Sequence, residues 1–333
     1  MSKHPFRLAI ESGASADDFR KLFAAHAVIY APMLTKPVAG AQEVFNIVAQ
    51  AAKLAGPITY TLEVRDRRQT FLFWQGHAGG FTLEAVTILI DDEGGLVREV
   101  RVLMRPWPVV TIFRDAMYKA LSGSIPADFW ELQPKPASDG TPRKFTPIAL
   151  KPIPLAPDMV LHSPMLARSV SGKAEVEAAV GLAHEIQSAS SYTSIIATPD
   201  LLIELFDCDA DGFPMEGIWV QKLNEHGQVN DLTVYLRPYP AVTVLRNRTK
   251  TLGEKRDCSN ENTGSSPSLR YPNPRDPPRG PKPACSVVWR QMMTLEEKAR
   301  LAFRFLSILG RPDADVVREW RSKTSLGPFP DQA

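Results

Sequence analysis

The spacing of apolar residues changes from helical to alternating within the first third of the chain. Apolar positions recur at helical spacing over Phe6–Phe23 and Ala41–Leu54, which predicts a helical start, with Ser15 as an N-cap inside the first stretch. Apolar and polar residues then alternate, which predicts four strands at Thr59–Val64, Thr70–Gln75, Thr82–Ile90 and Val97–Met104. Gly-rich segments between these strands predict the tight turns of an antiparallel meander. The pattern indicates an α+β domain, with helices on one face of a curved antiparallel sheet.

This pattern occurs twice. The segment "MRPWPVVTIF" recurs as "LRPYPAVTVL", and the spacing from Arg105 in the first to Arg237 in the second defines the repeat offset. The same offset aligns "VIYAPMLTKPVAGAQEV" with "VLHSPMLARSVSGKAEV" without a gap. The period is too long for a solenoid repeat, so each copy is expected to have its own core. The sequence therefore predicts two tandem domains, and the strands of the second are predicted at Thr193–Ala197, Leu201–Phe206, Met215–Leu223 and Val229–Leu236.

The remaining segments are rich in proline or helical in pattern. Copy one is assigned to residues 1–125 and copy two to 158–250, with Pro-rich linkers at 126–157 and 251–290, the second expected to be disordered. Prolines at 137–155 forbid the opening helix in copy two. A helical segment is predicted at 291–322, where Thr294 and Glu297 form a capping box. We expect its helix, Thr294–Gly310, to fold back and supply the missing helix of copy two.

Composition excludes several classes of function. The chain of 333 residues has a formal net charge of +2 and no basic stripe in its first 250 residues, so no nucleic-acid partner is expected. No apolar run is long enough to span a membrane, and the N-terminal segment lacks the apolar core of a secretory signal. Its three cysteines do not form a disulfide framework. We expect a reduced, cytoplasmic protein without a membrane partner.

No cofactor or metal site is predicted. The segment "DCDADG", Asp207–Gly212, resembles the start of an EF-hand calcium loop, but the twelfth position holds Ile218 instead of the required Glu. A hairpin turn rich in Asp and Gly is the better interpretation. The histidines show no ligand spacing with Cys or acidic residues, and the chain has neither a Gly-rich phosphate loop nor a nucleophile elbow.

One glutamate in each copy is a candidate acid or base. Glu84 is in register with the apolar positions of its strand, and Glu216 is in register with Ile218 and the residues that follow. If this face points to the core, desolvation raises the pKa of each carboxyl and suits it to general acid–base catalysis. The alternative is that both glutamates lie at strand starts and form structural ion pairs with Arg105 and Arg237.

The second candidate is His162 of copy two, which is replaced by Tyr30 in copy one. Both side chains have an apolar body and a proton-carrying tip, which suits the wall of a mixed pocket. If His162 and Glu216 converge, they form an acid–base pair, and copy two is the more active copy. The alternative for His162 is a structural role. The candidate catalytic residues are thus His162, Glu216, Tyr30 and Glu84.

The two copies resemble the SnoaL-like branch of the nuclear-transport-factor-two-like superfamily. The resemblance rests on the openings "VIYAPML…VAG" and "VLHSPML…VSG" and on the closing "EGGLVREVRVLMRPWPVVTIF", and it covers about Pro5–Leu121 and Asp158–Lys250. It implies a cone-shaped pocket between a curved sheet and helices. Members include polyketide cyclases, ketosteroid isomerases, limonene-epoxide hydrolases and scytalone dehydratases, as well as binding and dimerisation modules, and many pair through the outer face of the sheet.

Two hypotheses follow for the function. The first is an enzyme without a cofactor that acts on a small apolar molecule by acid–base chemistry. The second is a non-catalytic ligand-binding or scaffold protein whose copies form an intrachain pseudo-dimer; further self-association stays open. Tandem copies have a high effective concentration for each other, so we expect them to pack sheet to sheet. The faces expected at or near this interface carry Glu99, Arg101, Asp231 and Tyr235.

Overall fold

The computed structural model describes residues 3–132, 153–187 and 191–262. Copy one begins with two short helices that are separated at Gly13, which has a φ of 63°. The second begins where predicted, because the Ser15 hydroxyl accepts a hydrogen bond from the Asp18 amide at 3.2 Å. The single predicted helix over Phe6–Phe23 is therefore two. The elements of copy one are α1 (Pro5–Ser12), α2 (Ala16–Arg20), β1 (Phe23–Tyr30), β2 (Val38–Ala39), α3 (Ala41–Ala55), β3 (Thr59–Asp66), β4 (Gln69–Ala78), β5 (Phe81–Asp91), β6 (Val97–Arg105) and α4 (Trp107–Leu121).

Copy two has the same order of elements from its first strand onward. At the repeat offset, Leu155 at the start of its first strand corresponds to Phe23, and Val229 at the start of its last long strand corresponds to Val97. The α+β class and the tandem arrangement predicted from the sequence are confirmed. The elements of copy two are β7 (Leu155–His162), β8 (Val170–Ser171), α5 (Lys173–His184), β9 (Ser191–Ala197), β10 (Leu201–Ala210), β11 (Phe213–Leu223), β12 (Val229–Arg237) and α6 (Tyr239–Asn262).

No strand was predicted at Phe23–Tyr30 or at Leu155–His162, where the structure has β1 and β7. Both strands pair in parallel with the last strand of their own copy, Ile29 opposite Val100 and Leu161 opposite Leu232. The four predicted strands of each copy are present and make the antiparallel part of the sheet. Each last strand ends at an arginine, Arg105 or Arg237, before a cis-proline.

Both predicted linker boundaries differ from the structure. The first segment, 126–157, begins with a 3-10 turn at Ala127–Phe129, and the following Trp130 is buried in the core of copy one. The second, predicted to begin at 251, is helical up to Asn262 because α6 continues to that residue. The helix predicted at Thr294–Gly310, and its docking on copy two, lie outside the described residues.

The "DCDADG" segment forms a hairpin turn, as predicted. Asp211 and Gly212 occupy the two turn positions between β10 and β11, with φ angles of 54° and 83°. In copy one, Gly79 and Gly80 occupy the equivalent turn. Positive φ at both central positions is the requirement of the two-residue hairpin turn that suits twisted strands. Within the described ranges, no group of three or more potential metal ligands occurs.

The helices cover the inner face of each sheet. Val100, Val102 and Met104 point into the core of copy one, and Leu232, Val234 and Leu236 into that of copy two. Strand parity predicted this face correctly for β6 and β12. None of the helices in the described part of the chain is long and apolar enough to cross a membrane.

The outer faces of the two sheets contact each other. Strand β6 pairs with β12 at Met104 and Leu236, so all twelve strands belong to one sheet system. Two backbone hydrogen bonds cross between the copies at equivalent positions, from Trp107 to Pro164 at 2.7 Å and from Tyr239 to Pro32 at 2.6 Å. A third apolar cluster, the outer-face cluster, combines residues of both copies: Phe71, Phe73, Val86, Ile88, Leu103, Ile203, Leu205, Ile218, Val220 and Tyr235.

Candidate functional site

Glu84 and Glu216 do not point to the core of their own copy, which was one of the two orientations considered from the sequence. Both lie on the same strand face as members of the outer-face cluster, Glu84 with Val86 and Glu216 with Ile218, and therefore face away from the core of their own copy. Strand β5 is apolar on both faces, since Leu83 and other alternate residues point into the core of copy one. Alternation along this strand consequently could not show which face is the inner one.

Glu216 is buried between two arginines. Its carboxylate, 5% exposed, accepts hydrogen bonds from Arg237 of its own copy and from Arg101 of copy one. Burial disfavours the charged guanidinium of Arg101, but Glu216 and Glu99 outweigh this and raise the pKa of Arg101. The structural ion pair proposed as the alternative for Glu216 is thus present, with an additional partner from the other copy.

Glu84 and Tyr30 of copy one also take part in contacts of the arginines. Glu84 pairs with Arg105, and its carboxylate is 26% exposed. The ring of Tyr30 lies against two guanidinium groups, with centroid distances of 5.1 Å to Arg101 and 4.9 Å to Arg237. Arg237 belongs to copy two, so Tyr30 supports a contact between the copies.

His162 does not converge with Glu216 in the structure. Its Nε2 lies 3.2 Å from Oδ2 of Asp231, and its Nδ1 lies 2.8 Å from the hydroxyl of Ser169. None of the four predicted site residues lines the apolar cavity of either copy. Two of the four residues expected near the interface do contact the other copy. Arg101 of copy one binds Glu216 of copy two, and the ring of Tyr235 in copy two lies 6.2 Å from that of Phe73 in copy one.

Each copy has one apolar cavity between its helices and the inner sheet face. The cavity volume is about 50 Å³ in copy one and about 70 Å³ in copy two, so each holds only a few water-sized groups unless side chains move. The two cavities are equivalent. Lining residues at positions related by the repeat offset include Ile29 and Leu161, Met33 and Met165, Val102 and Val234, Met104 and Leu236, and Phe113 and Leu245.

The cavity of copy two has polar side chains at positions that are apolar in copy one. Four positions that hold Ala or Met in copy one hold residues with polar side chains in copy two. These pairs are Ala31 and Ser163, Ala52 and His184, Ala55 and Gln187, and Met117 and Thr249. Copy two can therefore bind a ligand group that forms hydrogen bonds, whereas Tyr60 and Thr87 supply the polar atoms around the cavity of copy one.

A buried carboxylate also lies on the inner face of copy two. Glu204 of β10 is 4% exposed and accepts a hydrogen bond of 2.6 Å from Gln221, which is also buried. Glu204 lies opposite Trp219 in the strand register, and Trp219 lines the cavity. In copy one the two equivalent positions hold buried leucines, Leu72 and Leu89.

The surroundings of Glu204 favour its neutral form. Burial raises the pKa of the Glu204 carboxyl, and the hydrogen bond from Gln221 offsets this only in part. Burial, with a smaller contribution from Glu204, raises the pKa of the nearby Tyr192 hydroxyl. A carboxyl group whose pKa is shifted toward neutrality can exchange a proton with a bound molecule.

His184 lines the same cavity. Its ring stacks on Trp219, with a centroid distance of 5.9 Å and an interplanar angle of 10°. Partial burial lowers the pKa of His184, so its imidazole is mostly neutral at pH 7 and can donate or accept one hydrogen bond. Glu204 and His184 thus both neighbour the same indole ring.

Both residues were missed from the sequence, because among the positions that differ between the copies only Tyr30 and His162 were considered. The signal was a set of polar residues of copy two that replace apolar residues of copy one at the repeat offset. Leu72 to Glu204 and Ala52 to His184 are two such replacements within predicted strand and helix patterns.

Gly217 determines how closely the wall of this cavity packs. A Cβ atom at Gly217 would lie 2.2 Å from Cζ of Phe206 and 2.7 Å from Cδ2 of Leu236, and both residues line the cavity. Gly217→Ala is expected to destabilise the protein by about 1–3 kcal/mol, because the methyl group displaces packed side chains. Urea unfolding measures the loss, with Gly123→Ala as the control, since no atom lies within 4 Å of a Cβ at Gly123. Equal stability of the two variants would contradict the tight packing around Gly217.

No family model and no curated protein matches the chain. Solved structures do. A protein with a cystatin-like fold from Silicibacter pomeroyi is 21% identical, with a TM-score of 0.34, over 36% of this chain and 88% of its own. A steroid delta-isomerase from Pseudomonas aeruginosa is 22% identical, with a TM-score of 0.34, over 35% of this chain and 87% of its own.

A third similar structure comes from Catenulispora acidiphila and is described as a protein with a ketosteroid isomerase-like fold in complex with trimethylamine. It is 16% identical, with a TM-score of 0.28, over 33% of this chain and 93% of its own. Each of the three matches about one third of the chain. The likeness concerns the fold alone.

Proposed function

We propose that copy two binds a small, mainly apolar molecule and exchanges a proton with it through Glu204. The observation that carries this proposal is a buried carboxylate on the inner face of copy two, with its pKa raised by burial, where copy one has Leu72. Copy one, whose equivalent cavity is lined almost entirely by apolar side chains, serves as a binding or structural domain. No cofactor is needed for such a proton transfer.

The cavity limits the substrate to a compact molecule with one polar group. Apolar side chains line most of the cavity, so the body of the ligand is apolar. The polar atoms of its lining, including those of His184 and Gln187, can orient a carbonyl or hydroxyl group. A small ketone combines these properties, and a hydrogen on the carbon next to its carbonyl is acidic enough for abstraction by a carboxylate.

The residues of copy two have separate roles in this reaction. Glu204 in its ionised form takes the proton from the carbon and later returns it, while Gln221 holds the carboxylate in position. The neutral imidazole of His184 donates a hydrogen bond to the carbonyl oxygen as negative charge develops on it. The ring of Trp219 supplies the apolar surface beside these two groups.

The proposal is tested by exchange of hydrogen for deuterium on a small ketone. Acetone and cyclopentanone are incubated with the full chain in D₂O, and loss of the protons beside the carbonyl is followed by NMR. We expect Glu204→Gln to slow this exchange by roughly 10²–10⁴-fold, because the amide has the same shape but cannot accept the proton. Glu177→Gln is the control, since Glu177 lies exposed on α5.

Unchanged exchange in Glu204→Gln, or exchange in the parent no faster than in buffer, would refute the proton transfer. Titration calorimetry with the same ketones then separates binding from chemistry. Binding that disappears when the cavity is filled by Ala183→Phe supports the cavity as the site, because Ala183 is one of its lining residues.

We propose in addition that the two copies act as an intrachain pseudo-dimer, so that the chain is also a scaffold. Support comes from the outer-face cluster, which draws five residues from each copy, and from the pair of backbone hydrogen bonds at equivalent positions. The cluster occupies the face through which a second chain would otherwise pack. Light scattering that gives the mass of one chain at micromolar concentration is the expected result; a stable dimer would show further self-association.

The catalytic roles predicted for His162, Glu216, Tyr30 and Glu84 stay predictions. What speaks for Glu204 instead is that it lies on the inner face, opposite the cavity-lining Trp219 in the strand register, whereas Glu216 and Glu84 form ion pairs on the outer face. The same exchange assay on Glu216→Gln distinguishes the two assignments, provided that the rate is compared at equal folded fraction.

A further inference from the structure

His162 belongs to a chain of three polar side chains in copy two. The hydroxyl of Ser169 lies 2.8 Å from Nδ1 of His162, and Nε2 of the same ring lies 3.2 Å from Oδ2 of Asp231. An ionised carboxylate only accepts hydrogen bonds, so in the neutral imidazole Nε2 carries the proton and Nδ1 has the free lone pair. The Ser169 hydroxyl therefore donates to Nδ1, which is the arrangement that lets an imidazole remove the hydroxyl proton.

The sheet fixes all three side chains. His162 ends β7, and Ser169 directly precedes β8, which pairs with β7 so that Leu161 is opposite Val170. Asp231 lies on β12, whose parallel register with β7 places Thr233 opposite His162. The base and the carboxylate lie on regular strands and the nucleophile is next to one, so their geometry does not depend on a ligand.

The charges and exposure of the three residues suit a reaction with a molecule from solvent. The hydrogen bond from His162 holds the pKa of Asp231 below its usual value despite partial burial, and Lys222, 3.7 Å away, contributes in the same direction. The side chains of His162 and Asp231 are 29% and 24% exposed, so small molecules reach this site.

Copy one cannot form this arrangement. At the repeat offset, Ser169 corresponds to Pro37, His162 to Tyr30 and Asp231 to Glu99. The chain of hydrogen bonds is thus specific to copy two, on the sheet face opposite the cavity. Its residues are separate from Glu204 and from the lining of the cavity.

We propose that Ser169, His162 and Asp231 form a second reactive site, which accepts an acyl group from small esters. Oγ of Ser169 bonds to the ester carbonyl carbon while its proton passes to Nδ1 of His162. The tetrahedral adduct then expels the alcohol, which takes that proton, and leaves an acyl ester on Ser169. Water hydrolyses this ester by the same route. Ser169 and His162 are the catalytic residues, and Asp231 is a positioning residue that stabilises the charged imidazole.

The test is covalent labelling of the full chain by a fluorophosphonate, which bonds to an activated serine oxygen and releases fluoride. We expect one adduct per chain, located on Ser169 by mass spectrometry of peptides. Ser169→Ala should abolish the adduct, and Ser171→Ala, an exposed serine on β8, should not. His162→Gln and Asp231→Asn should each slow labelling by roughly 10²–10⁴-fold with an unchanged circular dichroism spectrum.

The rate of labelling distinguishes a positioning role of Asp231 from a purely structural one. If the role is purely structural, Asp231→Asn changes the melting temperature but leaves the labelling rate per folded molecule unaltered. The absence of an adduct, an adduct on another residue, or equal labelling of the parent and Ser169→Ala would each overturn the proposal. Hydrolysis of p-nitrophenyl acetate with an initial burst, lost in Ser169→Ala, would support it independently.

Discussion

Glu216→Gln is expected to lower the free energy of unfolding by about 3–5 kcal/mol. The carboxylate is buried and binds two guanidinium groups, Arg237 in its own copy and Arg101 in the other. Removal of one partner from a buried ion pair leaves an uncompensated charge in a poorly solvated place, which accounts for the size of the effect. Urea unfolding monitored by circular dichroism measures the change.

Glu84→Gln is the matched control, because Glu84 occupies the position equivalent to Glu216 in copy one. Its carboxylate is about a quarter exposed and pairs with one arginine, Arg105, which is buried but also donates a hydrogen bond to the Ser163 carbonyl at 3.4 Å, so we expect a smaller loss of about 1–3 kcal/mol. Equal losses in the two variants would show that the contact between Arg101 and Glu216 adds no stability to the association of the two copies.

Ile88→Asp is expected to destabilise the protein by more than about 4 kcal/mol. Ile88 is fully buried in the outer-face cluster. Arg101 lies opposite it in the strand register but already binds Glu99 and Glu216, so a new carboxylate at this position would be poorly compensated. The damage should extend to both copies, because the cluster takes half of its residues from each. Urea unfolding and limited proteolysis of sites in both copies measure it.

Ile90→Asp provides the comparison on the same face of β5. Ile90 is only partly buried and lies outside the outer-face cluster, so its carboxylate remains in contact with water and the loss should be about 1–2 kcal/mol. If Ile88→Asp were as stable as Ile90→Asp, the cluster would not be a structural core.

Much of the fold was predictable from the sequence, because alternation and turn residues are local signals. The four meander strands of each copy and the helix from Ala41 were placed within a few residues of their observed ends. Strand β1 was not predicted, because two tertiary interactions determine its conformation: a parallel pairing with β6 and burial by α3. Such pairings leave no periodic signal that distinguishes a short apolar strand from a helix.

The candidate site was harder to predict than the fold. The position of Glu216 on its strand was read correctly, but the inner and outer faces of β11 are both apolar because another copy covers the outer one. Alternation with a period of two distinguishes the two faces of a strand, but it does not show which face points to the core. The pairing of His162 with Asp231 depends on a parallel register between strands that are far apart in the sequence, which the sequence alone does not specify.

The outer-face cluster also has a consequence for how much polarity copy two can tolerate. Glu204 and Gln221 interrupt its inner apolar face where copy one has two leucines, and buried polar groups of this kind contribute less to folding than leucines do. A freely diffusing partner would dissociate from such a weakened domain on dilution, whereas a partner on the same chain cannot. Copy one is therefore expected to stabilise copy two within the chain, so that copy two can hold more buried polar residues than a domain that must fold alone.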